Sequence, residues 1–291
     1  MGHAHHSSNM RRVIIALVLT GTFMIVEVIG GLLSGSLALL ADAGHMLTDT
    51  MALALAAVAF QVSKRPADTR LTYGYQRFQI LAAFVNGLSL LLIVGWILYE
   101  AIQRFIAPET VMGPMMLAVA AAGLVINIVA FIVLHGGDRE NLNIRGAALH
   151  VAGDLLGSVA AIVAAIIIIY TGWMQIDPIL SVAVALLILK SAWALVKRSA
   201  HVLLEGAPEW LDIEAMQQHL VDAVPEVTGI HHVHVWGMTP QDLMLTMHVQ
   251  IDSEPGNPTD VIRRIKSQLQ ETYGIGHSTI EIETVDCADH S

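Results

Sequence analysis

Several polar residues able to do chemistry sit where this chain should be burying leucine. The stretch LLADAGHMLTDT, residues 39–50, interrupts a long apolar run with Asp42, His45 and Asp49. His45 and Asp49 are four residues apart, and the same spacing returns at His150 and Asp154 in LHVAGDLL. On a helix, positions i and i+4 share a face and lie ~6 Å apart along the axis. Each pair can therefore bring one imidazole nitrogen and one carboxylate oxygen to a single point. Two such helices supply four N/O ligands, which suits tetrahedral Zn²⁺. Two carboxylates neutralise a divalent ion, and two neutral imidazoles add no charge. The competing reading is hydrogen bonding between helices and nothing more. Against it, a mid-membrane carboxylate costs ~2.5–3.5 kcal/mol on insertion scales, and the identical spacing of the two pairs argues against coincidence. Asp42, one turn before His45, is read as supporting the ligands or lining the ion's path. Glu27, Asn86 and Asn127 are read either as lining a wet path or as polar glue between helices.

These residues need long apolar helices to hold them. Of the 291 residues, 55% are hydrophobic and only 14% are charged, against roughly a quarter charged in a soluble domain. Mean hydropathy is +0.62, the composition of a membrane protein. A span needs ~20 mostly apolar residues. Six candidates fit, at about 13–33, 37–60, 78–103, 114–135, 146–170 and 178–196. Turn residues separate them: Ser34, Gly35 and Ser36, then Pro108 with Gly113 and Pro114, then Gly172 with Asp177 and Pro178. Basic residues cluster on one side: Arg11, Arg12, Lys64, Arg65, Arg70, Arg77, Arg139, Arg145, Lys197 and Arg198, against Arg104 on the other. That bias predicts cytoplasmic termini. The single cysteine, Cys287, excludes a disulfide framework and a cysteine-rich metal site. Residues 1–12 read as a disordered polar tail. No cleavage site follows the apolar run after Arg12, so it is not read as a signal peptide.

Beyond residue 207 the pattern changes. Residues 208–224 have helical spacing, with Asp212 as N-cap. IHHVHVW, LMLTMHVQI and HSTIEIETV read as strands, with a second helix in NPTDVIRRIKSQLQETY. The order αββαβ predicts a three-stranded sheet with helices on one face. The expected domains are a cytoplasmic tail at 1–12, a six-helix transmembrane transport domain at 13–200, and a cytoplasmic α+β domain at 208–288.

The segments GSLALLADAGHMLTDT, YGYQRF, LHVAGDLLGS, DPILS, LLEGAP and HHVHVW, spread over nearly the whole chain, resemble the cation diffusion facilitator family. The resemblance implies six helices, a ferredoxin-like cytoplasmic domain, a homodimer and metal/proton antiport in a bacterial inner membrane. It implies that His45, Asp49, His150 and Asp154 form the transport site of a zinc exporter. It also points to His231, His248, His277 and Glu283 as ligands of a regulatory zinc in the cytoplasmic domain. Strand alternation groups these residues differently, putting His231 on the face of Val233 and Val235 and His232 with His234 on the other. Some relatives carry a histidine between spans two and three that binds an extra metal. Here Tyr75 stands in its place, and only Asp68 remains of that site.

The expected partners are zinc, protons, lipid and a second copy of the chain, with no nucleic acid and no organic cofactor. Metal needs deprotonated carboxylates and neutral imidazoles, so binding expels protons. That exchange predicts a transporter rather than an enzyme. The rival readings are a membrane metal sensor and an intramembrane zinc hydrolase using the same ligands. A hydrolytic zinc keeps an open position, which two His-x-x-x-Asp pairs would close, and the chain has no HExxH. Arg77 and Glu205, at two helix ends on the basic side, are expected to pair.

Overall fold

Turn chemistry sets the ends of the long helices. The computed structural model describes residues 2–63, 65–135, 142–239, 242–252, 257–284 and 287. Within these, the side chains of 2–14, 16–17, 49, 52–53, 56–57, 60, 134–135 and 142–153 are not described. Six long helices come first: α1 (Gly2–Ser34), α2 (Leu37–Ser63), α3 (Phe78–Ile106), α4 (Gly113–His135), α5 (Leu142–Thr171) and α6 (Ile176–Leu203). Gly35 closes α1 with a φ of 70°, a left-handed conformation cheap only for glycine. Among the described residues, Phe78–Ile106, Gly113–Val133, Asp154–Thr171 and Ile176–Leu203 are each long and apolar enough to cross a membrane. Val18–Ser34 and Leu37–Thr48 add shorter apolar segments on α1 and α2. One expectation changes here. Helix α1 begins at Gly2, where the sequence suggested a disordered tail. No proline interrupts residues 3–20, and extending an existing helix costs far less than nucleating one.

The chain forms two compact units: Met1–Ala57 with Val85–Val196, and Val58–Phe84 with Lys197–Ser291. In the first, Leu37 and Ala41 of α2 pack among Leu90, Val94 and Ile97 of α3 and Ala185 and Ile188 of α6. Ala38 and Leu39 of α2 pack with Met116 and Ala120 of α4 and with Ala161, Ala164 and Ala165 of α5. The start of α2 thus sits between two apolar layers.

In the second unit, α7 (Ile213–Ala223) and α8 (Pro258–Tyr273) accompany β1 (Val227–Gly237), β2 (Leu243–Ile251) and β3 (His277–Glu283). Asp212 caps α7 by accepting from Ala215 N, and Asn257 caps α8 by accepting from Thr259 N. The sheet order is β1-β2-β3, with β1 antiparallel and β3 parallel to β2. Met216 and Leu220 of α7 and Val261, Ile265 and Leu269 of α8 pack onto Leu245, Met247 and Val249 of β2. These three residues alternate along the strand, so they line one face of the sheet. The αββαβ order predicted from the sequence is the one observed.

Candidate metal centres

The first candidate centre lies on α2 and α5. The start of α2 is held from a distance. Asp177, fully buried at the beginning of α6, accepts from Ser36 Oγ at 2.6 Å, Leu37 N at 2.7 Å and Ala38 N at 3.2 Å. Early helical N–H groups have no partner within the helix, and here a carboxylate from another helix supplies one. Two turns on, His45 is half-buried. On α5, Asp154 is only 6% exposed. Positions 49 and 150 fall on these helices, but their side chains lie outside the described residues.

The two helices run antiparallel. Ala38 and Leu39 pack by Ala161–Ile168, and further along Asp42 lies against Gly157, where an added Cβ would come 3.6 Å from Asp42 Oδ1. Three residues on from Asp42 is His45, and three residues back from Gly157 is Asp154. At 1.5 Å per residue both steps move ~4.5 Å in the same direction. Positions 45 and 154 are therefore level. Positions 49 and 150 follow one turn beyond, level with each other.

The second centre is in the sheet unit. His231 of β1 pairs in register with His248 of β2. The register shifts between His231 and His234, and His232 takes a φ of 47°. This bulge, with one residue in the left-handed region, breaks the two-residue alternation. His231 and His232 consequently do not point to opposite faces. Their ring centroids are 5.1 Å apart, and lie 5.5 Å and 4.9 Å from that of His248. Beyond β3, Cys287 places Sγ 3.7 Å from His232 Nδ1 and 3.6 Å from His248 Nδ1. Ligand atoms of His231, His232, His248 and Cys287 all lie within 4.8 Å of one another.

Glu283 closes the group. It is 7% exposed. Its Oε1 lies 2.9 Å from His248 Nδ1 and its Oε2 lies 3.1 Å from His231 Nε2. The second contact is out of line for a hydrogen bond, so His231 Nε2 and Glu283 Oε2 are both buried without one. Burial pushes the Glu283 carboxyl up. Hydrogen bonds from Cys287 and His248, and the charges of His231 and His248, outweigh that and hold it below the ordinary glutamate value.

These donors fit a metal ion. With Zn–S ~2.3 Å and Zn–N ~2.0–2.1 Å, a tetrahedral S···N edge is ~3.6 Å, close to both distances observed from Sγ. Two orphaned buried ligand atoms facing each other are what a shared cation would satisfy.

Residues 13–204 match the cation efflux transmembrane domain and residues 208–285 match the cation efflux protein cytoplasmic domain. The chain belongs to the cation efflux family. It is 54% identical to the zinc transporter ZitB of Pectobacterium atrosepticum, over 99% of this chain and 90% of that protein. It is 52% identical to ZitB of Escherichia coli, over 98% and 93%. It is 43% identical to the metal cation efflux system protein CzcD of Cupriavidus metallidurans, over 98% and 90%. Among solved structures, the metal-bound C-terminal domain of the CzcD transporter matches with a TM-score of 0.23 and 29% identity, covering 25% of this chain and 99% of that one. The protein is thus a multi-pass membrane protein of this family.

Two site residues inferred from family resemblance fall elsewhere. His277 stands at the far end of β3 from Glu283, ~20 Å away at ~3.3 Å per residue. Its ring meets Tyr73 edge-on, with centroids 6.4 Å apart. Asp68 is consumed locally: Oδ1 accepts from Arg70 N at 2.7 Å and Leu71 N at 2.8 Å, and Oδ2 from Tyr75 OH at 2.7 Å. The tyrosine bond and the two backbone bonds hold the Asp68 carboxyl below its ordinary value, and the same bond raises the Tyr75 hydroxyl. Donors from its own loop thus occupy both oxygens of the Asp68 carboxylate, so the residue is a turn former here. His232 and Cys287 were missed by the sequence reading. The His231–His232 doublet was visible, but the bulge that unites it was not. Cys287 follows the last strand with no periodic pattern to place it. Arg77 Nη1 meets Glu205 Oε1 at 3.0 Å, as expected.

Proposed function

We propose that this protein exports zinc from the cytoplasm in exchange for protons, by alternating access at an intramembrane site made of His45, Asp49, His150 and Asp154. The observation that carries this is the pairing of level positions on antiparallel α2 and α5, with Asp154 buried among apolar helices. The ZitB relatives, named as zinc transporters, support zinc as the cargo. Empty, the four ligands favour protons, because bare carboxylates in a dry interface are costly. Loaded, they favour the dication, and the protons leave. A proton gradient across the membrane then drives export. We further infer an inner-membrane location with both termini cytoplasmic, from the distribution of arginine and lysine.

The sheet unit acts as a zinc-responsive dimerisation domain. His231, His232, His248 and Cys287, with Glu283, hold the regulatory ion. The deciding experiment is zinc flux into proteoliposomes with and without an imposed pH gradient. Uptake that follows the proton gradient supports antiport. Uptake indifferent to it means a channel, and zinc binding without flux means a sensor.

A further inference from the structure

The loop between α2 and α3 is held in one shape by its own hydrogen bonds. Asp68 grips Arg70 N, Leu71 N and Tyr75 OH. Gly74, at a φ of 76°, donates its N–H to Leu71 O at 2.8 Å. The loop so folded walls a cavity of about 320 Å³ within the second unit. Arg70 and Arg77 line it together with Leu71, Phe78, Leu81 and Leu203. Leu71, Phe78 and Leu81 are exposed, so two cations and a hydrocarbon wall meet in one recess.

Arg77 is only partly used by the protein. Its Nη1 meets Glu205 Oε1 at 3.0 Å. Its Nε and Nη2 are buried and make no hydrogen bond. These two nitrogens form the guanidinium edge that grips a carboxylate or phosphate with two parallel N–H donors. A buried donor without an acceptor is costly, and this edge has two. Arg70 adds a second charge; it is exposed, and its side chain has no ion pair among the described residues. Glu205 therefore balances one of the two arginines and leaves the other.

Position in the chain narrows the choice of anion. Phe78 begins a helix long and apolar enough to cross a membrane. Arg77 immediately precedes it, at the level where lipid headgroups start, and Leu81 lies about one turn deeper, at the level of acyl chains. We propose that this cavity binds an anionic phospholipid, with the headgroup phosphate on Nε and Nη2 of Arg77 and beside Arg70, and an acyl chain against Phe78 and Leu81. Basic recesses at the membrane edge of a helical bundle suit such headgroups. A zwitterionic lipid also carries a phosphate, but it brings a cation next to the unbalanced arginine. The proposal needs only that the protein spans a membrane, and stands or falls apart from antiport.

The test is native mass spectrometry of the full-length protein released from detergent micelles and titrated with dioleoyl phosphatidylglycerol or dioleoyl phosphatidylcholine. One phosphatidylglycerol per chain should bind about tenfold more tightly than phosphatidylcholine. Arg77→Gln and Arg70→Gln should each weaken phosphatidylglycerol by about tenfold, the scale of a charge-assisted hydrogen bond, and remove the preference. Arg70→Gln serves if Arg77→Gln does not fold, because the Arg70 side chain is exposed. Glu205→Gln removes the competing carboxylate and should bind phosphatidylglycerol at least as tightly as the unsubstituted protein. Equal affinity for the two lipids overturns the proposal, as does a preference that survives in a folded arginine variant. A loss in Glu205→Gln equal to that in Arg77→Gln would mean that the ion pair only maintains the fold, and overturns it too. Inorganic phosphate and glycerophosphoglycerol, the headgroup without its chains, should not displace the lipid at equal concentration. Displacement by either overturns the lipid as occupant and gives the recess to a free anion.

Discussion

Replacing Asp177 by alanine should loosen the start of α2 more than any single loss in the turn it grips. The carboxylate accepts from two backbone N–H groups and one hydroxyl, all buried. A buried donor left without a partner costs ~1–3 kcal/mol. Ser36 can turn its hydroxyl elsewhere, but the N–H groups of Leu37 and Ala38 cannot. Two orphaned amides put the expected loss at about 3 kcal/mol. Ser36→Ala removes only the hydroxyl, for about 1 kcal/mol. Asp177→Asn keeps one acceptor and turns an amide toward the other donors, so it should fall between. Because Ser36 and Asp177 touch, the double variant should lose less than the sum. The assay is equilibrium unfolding of the full-length protein in mixed micelles, followed by tryptophan fluorescence. If Asp177→Ala is no less stable than Ser36→Ala, Asp177 is not the cap of α2 and the reasoning fails.

Other outcomes follow from the sheet unit. In a background lacking Asp49 and Asp154, Cys287→Ser and His232→Ala should each weaken zinc binding by tenfold or more, while His277→Ala leaves it unchanged; competition with a chromophoric chelator reads all three. His232→Gly should be more stable without metal than His232→Ala by about 1 kcal/mol, because glycine accepts a φ of 47° without strain; equal thermal midpoints would argue against the bulge. The Glu283 carboxyl is held below its ordinary value. Its contribution to the metal-free fold is therefore complete above the unfolded value near 4.5 and is lost as pH falls through the lower folded value. Glu283→Gln should flatten that part of the acid-unfolding profile, and an unchanged profile would show that Glu283 is not held in this way.

Local signals were legible in the sequence. Apolar runs of membrane length, broken by Gly35 and by Pro108 with Gly113, gave α1 to α6 to within a few residues at most of their ends. Asp212 announced the start of α7, because a cap acts on amides two or three residues away. Contacts that depend on distant pairing were not legible. The carboxylate capping α2 comes from 141 residues away. The cytoplasmic cluster depends on a bulge at His232, and a strand's alternation says nothing of where its partner slips register. His277 was assigned through family resemblance, yet it stands at the opposite end of a seven-residue strand from Glu283. The paired spacing of His45 with Asp49 and His150 with Asp154 marked two helices. Their antiparallel, level placement came only with the packing of Asp42 against Gly157.

Zinc-edge X-ray absorption on the full-length protein tests the intramembrane site most directly, using a chain whose His231, His232, His248 and Cys287 are replaced. The account predicts one bound zinc with four nitrogen and oxygen neighbours at ~2.0–2.2 Å, lost when Asp154 is also replaced by alanine. A zinc that survives the loss of Asp154 with its four neighbours unchanged would contradict it.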